Sequence, residues 1–349
     1  MTKLYTFLFL ICFSSVYSQK TFLRENFNYP AGALLNANGW YAHNAGTTNP
    51  IAVSGEGLSW SKSSYVGSGK GRAAAVVNTG SDENRPFDSW ADTMSVYASF
   101  LVKADTVIVN SGPYFFHFVQ YSSPAVPVFT ATNSSFRGRV YVSPGSAANK
   151  MKIGITFGTS TDVAADGGQS EDLNIGETYL VVAKYSFVTG ADNDQISLYL
   201  FKDGDKIDTE PTKPTLGPYG KGGGTSANPD ISSIQGVALR QFAASQKITI
   251  DGIYVRNHWN MTTEGTSSAS DIVRSSLNIF PNPTSDRLIN ISNPENAPVK
   301  VCVYDIAGRI VLDQRVENNQ IDLSHCLNGM YIVQLTQSNE TVSKKLVLH

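Results

Sequence analysis

Between Phe22 and Val255 the chain repeats one pattern, a short run of alternating apolar and polar residues closed by Gly, Asn, Asp or Ser. The runs are 22–27, 73–77, 95–102, 114–121, 136–142, 152–157, 179–187, 196–202, 237–243 and 247–255. A period of two sends successive side chains to opposite faces of a strand, so these are expected to be half-buried antiparallel strands. No amphipathic helical period and no strand–helix–strand alternation interrupts them, which argues against a parallel α/β fold. Ten to a dozen strands within residues 19–259 call for two stacked sheets. The expectation is an all-β, two-sheet antiparallel jelly-roll sandwich.

The segments flanking this domain have other characters. Met1-Thr2-Lys3 is a basic start, Leu4 to Phe13 is apolar but too short to span a bilayer, and Val16-Tyr17-Ser18 precedes Gln19. Those features predict a signal peptide over residues 1–18. No other apolar run approaches the length of a membrane-spanning helix. Residues 260–276 are small and polar and read as a linker. Charged residues make up 16% of the chain and the net charge is −2, which argues against nucleic acid as a partner. An anionic substrate stays compatible, because a local basic cleft can sit on a near-neutral protein. Cys12 belongs to the expected signal peptide. Cys302 and Cys326 lie near the C-terminus, where an oxidising compartment permits a disulfide between them. Residues 19–259 contain no cysteine, which excludes a thiol nucleophile or a thiolate metal site there.

Residues 277–349 form a second pattern of short strands and turns. They carry Phe280-Pro281-Asn282-Pro283-Thr284, Tyr304-Asp305-Ile306-Ala307-Gly308-Arg309, Ile321-Asp322-Leu323-Ser324, Gly329-Met330-Tyr331-Ile332-Val333-Gln334-Leu335 and Lys344-Lys345-Leu346-Val347-Leu348-His349 in that order. This order closely resembles the C-terminal sorting domain of the type IX secretion system of Bacteroidetes. The resemblance implies a small β-sandwich that serves as an address, the secretion machinery as a partner, and a secreted or surface-held protein.

Within the main domain, Glu25-Asn26-Phe27, Ser197-Leu198-Tyr199-Leu200 with Lys202-Asp203-Gly204, and Ile250-Asp251-Gly252-Ile253-Tyr254-Val255 resemble a concanavalin A-like lectin/glucanase sandwich. Lectins, glycoside hydrolases, polysaccharide lyases and adhesion modules share that fold, so it leaves function open. The resemblance also implies a structural Ca²⁺ held by Glu25 and Asp251, whose hard oxygen atoms suit it. No organic cofactor is expected, and the chain is expected to be monomeric.

Phe136 to Val142 is the most informative strand. Alternation places Phe136, Val140 and Val142 on one face and Arg137, Arg139 and Tyr141 on the other. In the next strand Met151, Ile153, Ile155 and Phe157 face the core, with Lys152 opposite. Paired as a hairpin, the two strands gather three cations and a tyrosine on one surface. Such a cluster suits β-elimination on a uronate. Arg137 or Arg139 neutralises the carboxylate, Lys152 takes the adjacent proton, and Tyr254 protonates the leaving oxygen. The plain alternative is a solvated sheet face with arginine laid over Tyr141.

His117 shares a strand face with Phe115 and Val119, and Gln120 takes the other. Either lines the groove, or His117 is a hydrogen-bonded core residue. His43 sits in a loop beside Trp40 and Tyr41, which can stack a sugar. Lys184 offers a rim contact to an anionic glycan, and Arg240 is similarly ambiguous. No paired-carboxylate motif of a retaining glycosidase is present. The size, the sandwich with its sorting tail and the Arg/Lys/Tyr face are similar to short ulvan lyases of marine Bacteroidetes. That similarity implies a lyase acting on an anionic, sulfated algal polysaccharide. A non-catalytic carbohydrate-binding or adhesion module is the alternative.

Overall fold

The structure is a computed structural model that describes residues 19–42, 48–77, 79–92, 95–108, 114–121, 134–158, 167–221, 229–264, 277–293, 298–337 and 340–349. The expected signal peptide and His43 lie outside the described residues. Two compact units divide at Thr263 and Glu264.

The first unit carries strands β1 (Thr21–Glu25), β2 (Tyr41–Ala42), β3 (Ala52–Val53), β4 (Ala74–Val76), β5 (Glu83–Ala91), β6 (Ser95–Thr106), β7 (Tyr114–Tyr121) and β8 (Ser134–Pro144). It continues with β9 (Lys150–Thr156), β10 (Gly167–Gln169), β11 (Leu173–Asn174), β12 (Thr178–Ser186), β13 (Gln195–Lys202), β14 (Leu216–Tyr219), β15 (Ile234–Leu239) and β16 (Lys247–Arg256). These strands form two eight-stranded antiparallel sheets. The first has the order β14-β13-β12-β6-β16-β4-β3, with β1 also on β16; the second has β10-β9-β8-β7-β15-β5-β2, with β11 on β9. This is the expected jelly-roll sandwich. Among the described residues no helix is long and apolar enough to cross a membrane.

Both faces of the first sheet are covered. On β6, Val96, Ala98, Phe100, Val102 and Ala104 enter the core between the sheets. Tyr97 and Leu101 point the other way, beneath a layer containing Leu58, Trp60, Tyr65, Val66, Ile207 and Met261. The outer face of this sheet is therefore buried as well. Met261 is 1% exposed, and Arg256 donates to the carbonyls of Asn260 and Thr263. Residues 260–263 are thus packed onto the sandwich, although their small polar composition reads as linker.

In the second sheet, Phe116 and Phe118 of β7, Val140 and Val142 of β8, and Ile153 and Ile155 of β9 face the core. Val119, Tyr121 and Ala238 cluster on its outer face. Two opposed irregularities set the register of β7 on β8. Tyr114 pairs with Tyr141, Phe116 with Val140, and Phe118 with Arg137, so β7 carries an extra residue at Phe115 and β8 carries one beside Gly138. Gly138 has φ +61, the left-handed region that glycine enters at least cost.

The second unit carries β17 (Asn278–Phe280), β18 (Leu288–Ser292), β19 (Val299–Asp305), β20 (Ile310–Val316), β21 (Gln320–Asp322), β22 (Gly329–Gln337) and β23 (Glu340–Leu348). A β17-β18-β21 sheet and a β20-β19-β22-β23 sheet enclose their own core, which includes Ile279, Ile289, Val301, Val303, Val333 and Leu346. Cys326 is in that core, while Cys302 alternates with the inward-facing Val301 and Val303 of β19. Both thiols are free. Their placement on opposite sides of a sheet overturns the disulfide that the compartment would permit.

Candidate functional site

The paired bulges create the candidate site. An unbroken alternation would send Arg137 outward with Arg139. The extra residue at Gly138 instead turns Arg137 to the core side, opposite Phe118, and leaves Phe136, Arg139 and Tyr141 on the outer face. Arg137 is 3% exposed, lies 5.7 Å from the Phe157 ring centroid, and donates to the carbonyls of Pro229 and Phe136. Burial lowers its pKa from the ordinary arginine value. It is an internal clamp, removed from the groove where simple alternation puts it.

On the outer face, the Tyr114 ring lies between two guanidinium groups, those of Arg139 and Arg240, each 4.3 Å from its centroid. Arg139 also lies over Phe136 at 5.7 Å and Arg240 over Phe242 at 4.7 Å. His117 meets Tyr114 edge-on at 5.6 Å and Phe136 at 4.5 Å. Its Nδ1 is 3.2 Å from the carbonyl oxygen of Phe118, which can only accept. That bond requires a proton on Nδ1, and the ring is 1% exposed. Asp82 accepts from the Gln241 amide at 2.9 Å and approaches Arg240 Nε at 3.7 Å. Burial pushes the Asp82 carboxyl up to about 6.

Beside this cluster Asn84, Val119, Tyr121 and Ala238 are buried. Tyr121 donates to Asn84 Oδ1 at 2.7 Å, and Asn84 donates to the Tyr41 carbonyl at 2.9 Å. Tyr141 donates to the Gly168 carbonyl and packs where a side chain on Gly154 would stand. Lys152 shares the outer face on β9, opposite Ser143, and so lies further along the strands than Arg139, which pairs with Thr156.

The remaining expected residues are elsewhere. Tyr254 is fully buried on the first sheet, where Asn26 donates to its hydroxyl at 3.1 Å and Arg256 lies 4.7 Å from its ring centroid. Lys184 also projects from the first sheet, bonded to Glu210 at 2.8 Å. Neither can act with Arg139. Gln120 follows the core-facing phase of β7 and donates to Ser232. Trp40 is buried and donates to Glu25, leaving Tyr41 as the exposed member of that pair of rings.

The calcium pair does not fit a cation as arranged. Glu25 Oε1 accepts from the Phe27 amide, its Oε2 accepts from Tyr29 and Trp40, and Arg85 Nε is 4.0 Å away. Asp251 accepts from the amides of Leu58 and Gly252, and burial pushes it up to about 7. Donor hydrogens and a guanidinium thus occupy the positions a cation would need. No group of three His, Cys, Asp or Glu side chains suited to a metal occurs among the described residues.

Arg240, Tyr114, Phe136, Phe242 and Asp82 complete the cluster. Arg240 could be read as a candidate only with its facing unknown, and the other four gave no signal of their own. The aromatic-rich β7 beside the cation-rich β8 was the available clue.

Comparison with known proteins characterises the second unit. Residues 278–349 match the family described as the secretion system C-terminal sorting domain. This unit is a sorting domain, and it directs the chain through type IX secretion to the cell surface or the extracellular space. Beta-agarase D of Zobellia galactanivorans is 34% identical over 73 residues, which are 21% of this chain. The chain thereby spans 15% of that relative's length. Among solved structures, a carbohydrate esterase of Shiga toxin-encoding bacteriophage phi24B is 12% identical, with a TM-score of 0.40 over 68% of this chain and 99% of the esterase. An alginate lyase solved with an alginate trisaccharide is 13% identical, with a TM-score of 0.38 over 67% of this chain and 96% of the lyase. Likenesses this distant assign no function to the first unit.

Proposed function

We propose that the first unit is an exported polysaccharide lyase that cleaves a uronate-containing polymer by β-elimination on the outer face of the second sheet. The observation that supports this most directly is the meeting of two guanidinium groups and an imidazole around the Tyr114 phenol. Arg139 and Arg240 neutralise the uronate carboxylate, so that removing the adjacent C5 proton does not build a dianion. His117 Nε2 takes that proton as its C–H pair becomes the C4–C5 double bond. The C4–O bond breaks, and the Tyr114 hydroxyl protonates the departing oxygen. Lys152 then serves the polymer further along the sheet, in place of the base role expected for it. Ulvan is the first substrate to try.

The test is ultraviolet absorbance during incubation of the secreted protein with ulvan, alginate, pectin or chondroitin sulfate. Rising absorbance from a double bond conjugated to the carboxylate is expected with at least one of them. His117→Asn and Arg139→Ala should each lower kcat/KM by about a hundredfold or more, the scale of a lost general base or charge clamp. Because Asp82 offsets part of the Arg240 charge, a non-catalytic anion-binding surface is the second reading. Retention on a glycan affinity gel without any new absorbance would select it.

A further inference from the structure

We propose that Asp82 regulates the anion site through Arg240, so that acid tightens glycan binding. The ionised carboxylate competes with the ligand for this guanidinium, and a proton on Asp82 ends the competition. The inference rests on Arg139, Tyr114 and Arg240 forming an anion-binding surface, although it does not require elimination. The end of one ladder brings the pair together. Glu83 of β5 pairs with Leu239 of β15, so Asp82 and Arg240 meet where that ladder ends. The Arg240 amide donates to the Phe115 carbonyl at 2.9 Å, and the Gln241 amide donates to Asp82 Oδ1 at 2.9 Å. These bonds anchor the arginine backbone and the carboxyl group separately.

The two side chains are close without being hydrogen-bonded. Arg240 Nε is 3.7 Å from Asp82 Oδ2, beyond the reach of such a bond, and the side chains are 23% and 15% exposed. The Tyr114 and Phe242 rings hold the guanidinium plane at 4.3 and 4.7 Å from their centroids. Stacking leaves the in-plane N–H donors unused. The Nη1 atom is buried with no hydrogen bond to a described residue. Arg240 therefore holds donors that an anionic oxygen can take, beside a carboxylate that repels the same oxygen. Burial pushes the Asp82 carboxyl up to about 6, against the Gln241 amide and the Arg240 charge, which lower it. The other charged or titratable groups of this cluster are Glu83, on the core-facing phase with Leu239, the Tyr114 phenol, Arg139 and His117. An anion on Arg240 shares that guanidinium's charge and adds its own repulsion, so the ligand favours the protonated carboxyl. By linkage, the proton favours the ligand equally. Affinity should therefore rise as pH falls through about 6.

The test is affinity electrophoresis of the full chain through gels containing ulvan, alginate, pectin or chondroitin sulfate. Runs at about pH 5 and about pH 8 bracket Asp82, while polymer carboxylates with ordinary values near 4 stay largely ionised. Wild type should bind the retarding polymer about five- to tenfold more tightly at the lower pH, the effect of removing one carboxylate charge a few ångströms from an anion. Asp82→Asn keeps the shape and the acceptor for Gln241. It should bind at both pH values as tightly as wild type does in acid. Glu83→Gln should keep the wild-type dependence. An unchanged pH dependence in Asp82→Asn would overturn the inference. Loss of the dependence in Glu83→Gln would do so too, by assigning the proton to Glu83. Weaker binding by Asp82→Asn at both pH values would also overturn it, leaving Asp82 only as a support for Arg240. A pH dependence that follows Asp82 without any unsaturated product would uphold the inference and remove only the lyase reading. A wild-type chain retarded by none of the polymers at either pH would remove the anion surface itself, and its regulation with it.

Discussion

The Glu83 side chain is fully buried, with its neighbour Asp82 a second acid, and burial pushes its carboxyl up from 4.5 to about 7. The Ser81 hydroxyl offsets only part of that burial. With a folded value above the unfolded one, the folded chain keeps a proton that the unfolded chain releases. Stability from this group is therefore fully present below about pH 4.5 and is lost as pH rises through about 7. Glu83→Gln removes the buried charge while keeping the shape. It should leave urea stability near pH 5 almost unchanged and raise it near pH 8 by roughly 1–3 kcal/mol. An equal shift at both values would mean that packing, and not ionisation, sets the effect. No pattern in the sequence announces such a residue. Glu83-Asn84-Arg85-Pro86 opens with four residues that look like a surface turn, yet they begin a nine-residue strand.

At the scale of elements, Gly138 decides which arginine enters the site. A Cβ at this position would stand 3.0 Å from the Phe118 ring, on a backbone with φ +61. Gly138→Ala should cost about 1–3 kcal/mol in stability and weaken glycan binding as well, because relieving the strain shifts Arg139. Gly32→Ala is the control. Gly32 has φ +79 with nothing within 4 Å of its added Cβ, so it should show a backbone cost near 1 kcal/mol with binding intact. Thermal melts and affinity gels on the two variants separate these effects. The same bulge marks how far alternation could be followed. The inward phase of Met151, Ile153 and Ile155 was legible because β9 runs unbroken through them. The phase of Arg137 was lost because a bulge shifts alternation by one residue, and only the glycine between two arginines hinted at it. Tyr254 and Lys184 point outward on their strands, as their patterns indicate. They fail as site residues because aperiodic segments bearing Leu58, Trp60 and Ile207 cover that face, and no strand's own alternation reports a cover from elsewhere.

On the scale of the whole molecule, the two units were legible as separate patterns, and each has a core built from its own residues. The end of the first unit is also closed internally. Arg256 binds the carbonyls of Asn260 and Thr263, Met261 is buried, and its carbonyl accepts from the Val66 amide. A chain ending after Glu264 thus keeps every one of these contacts. Calorimetry should find the melting transition of the first unit within a few degrees of its position in the full chain, since losing even 1 kcal/mol shifts a domain of this size by ~2–4 °C. The second unit carries the export address, so the shortened chain should remain within the cell envelope of a type IX-secreting host while the full chain reaches the surface or medium. Fractionation and immunoblotting check this outcome. Glycan binding by the shortened protein should match that of the full chain, because every residue of the candidate site, from Asp82 to Phe242, belongs to the first unit. A large fall in its melting temperature would show that the sorting domain also stabilises the sandwich. Export without the tail would overturn its role as the address.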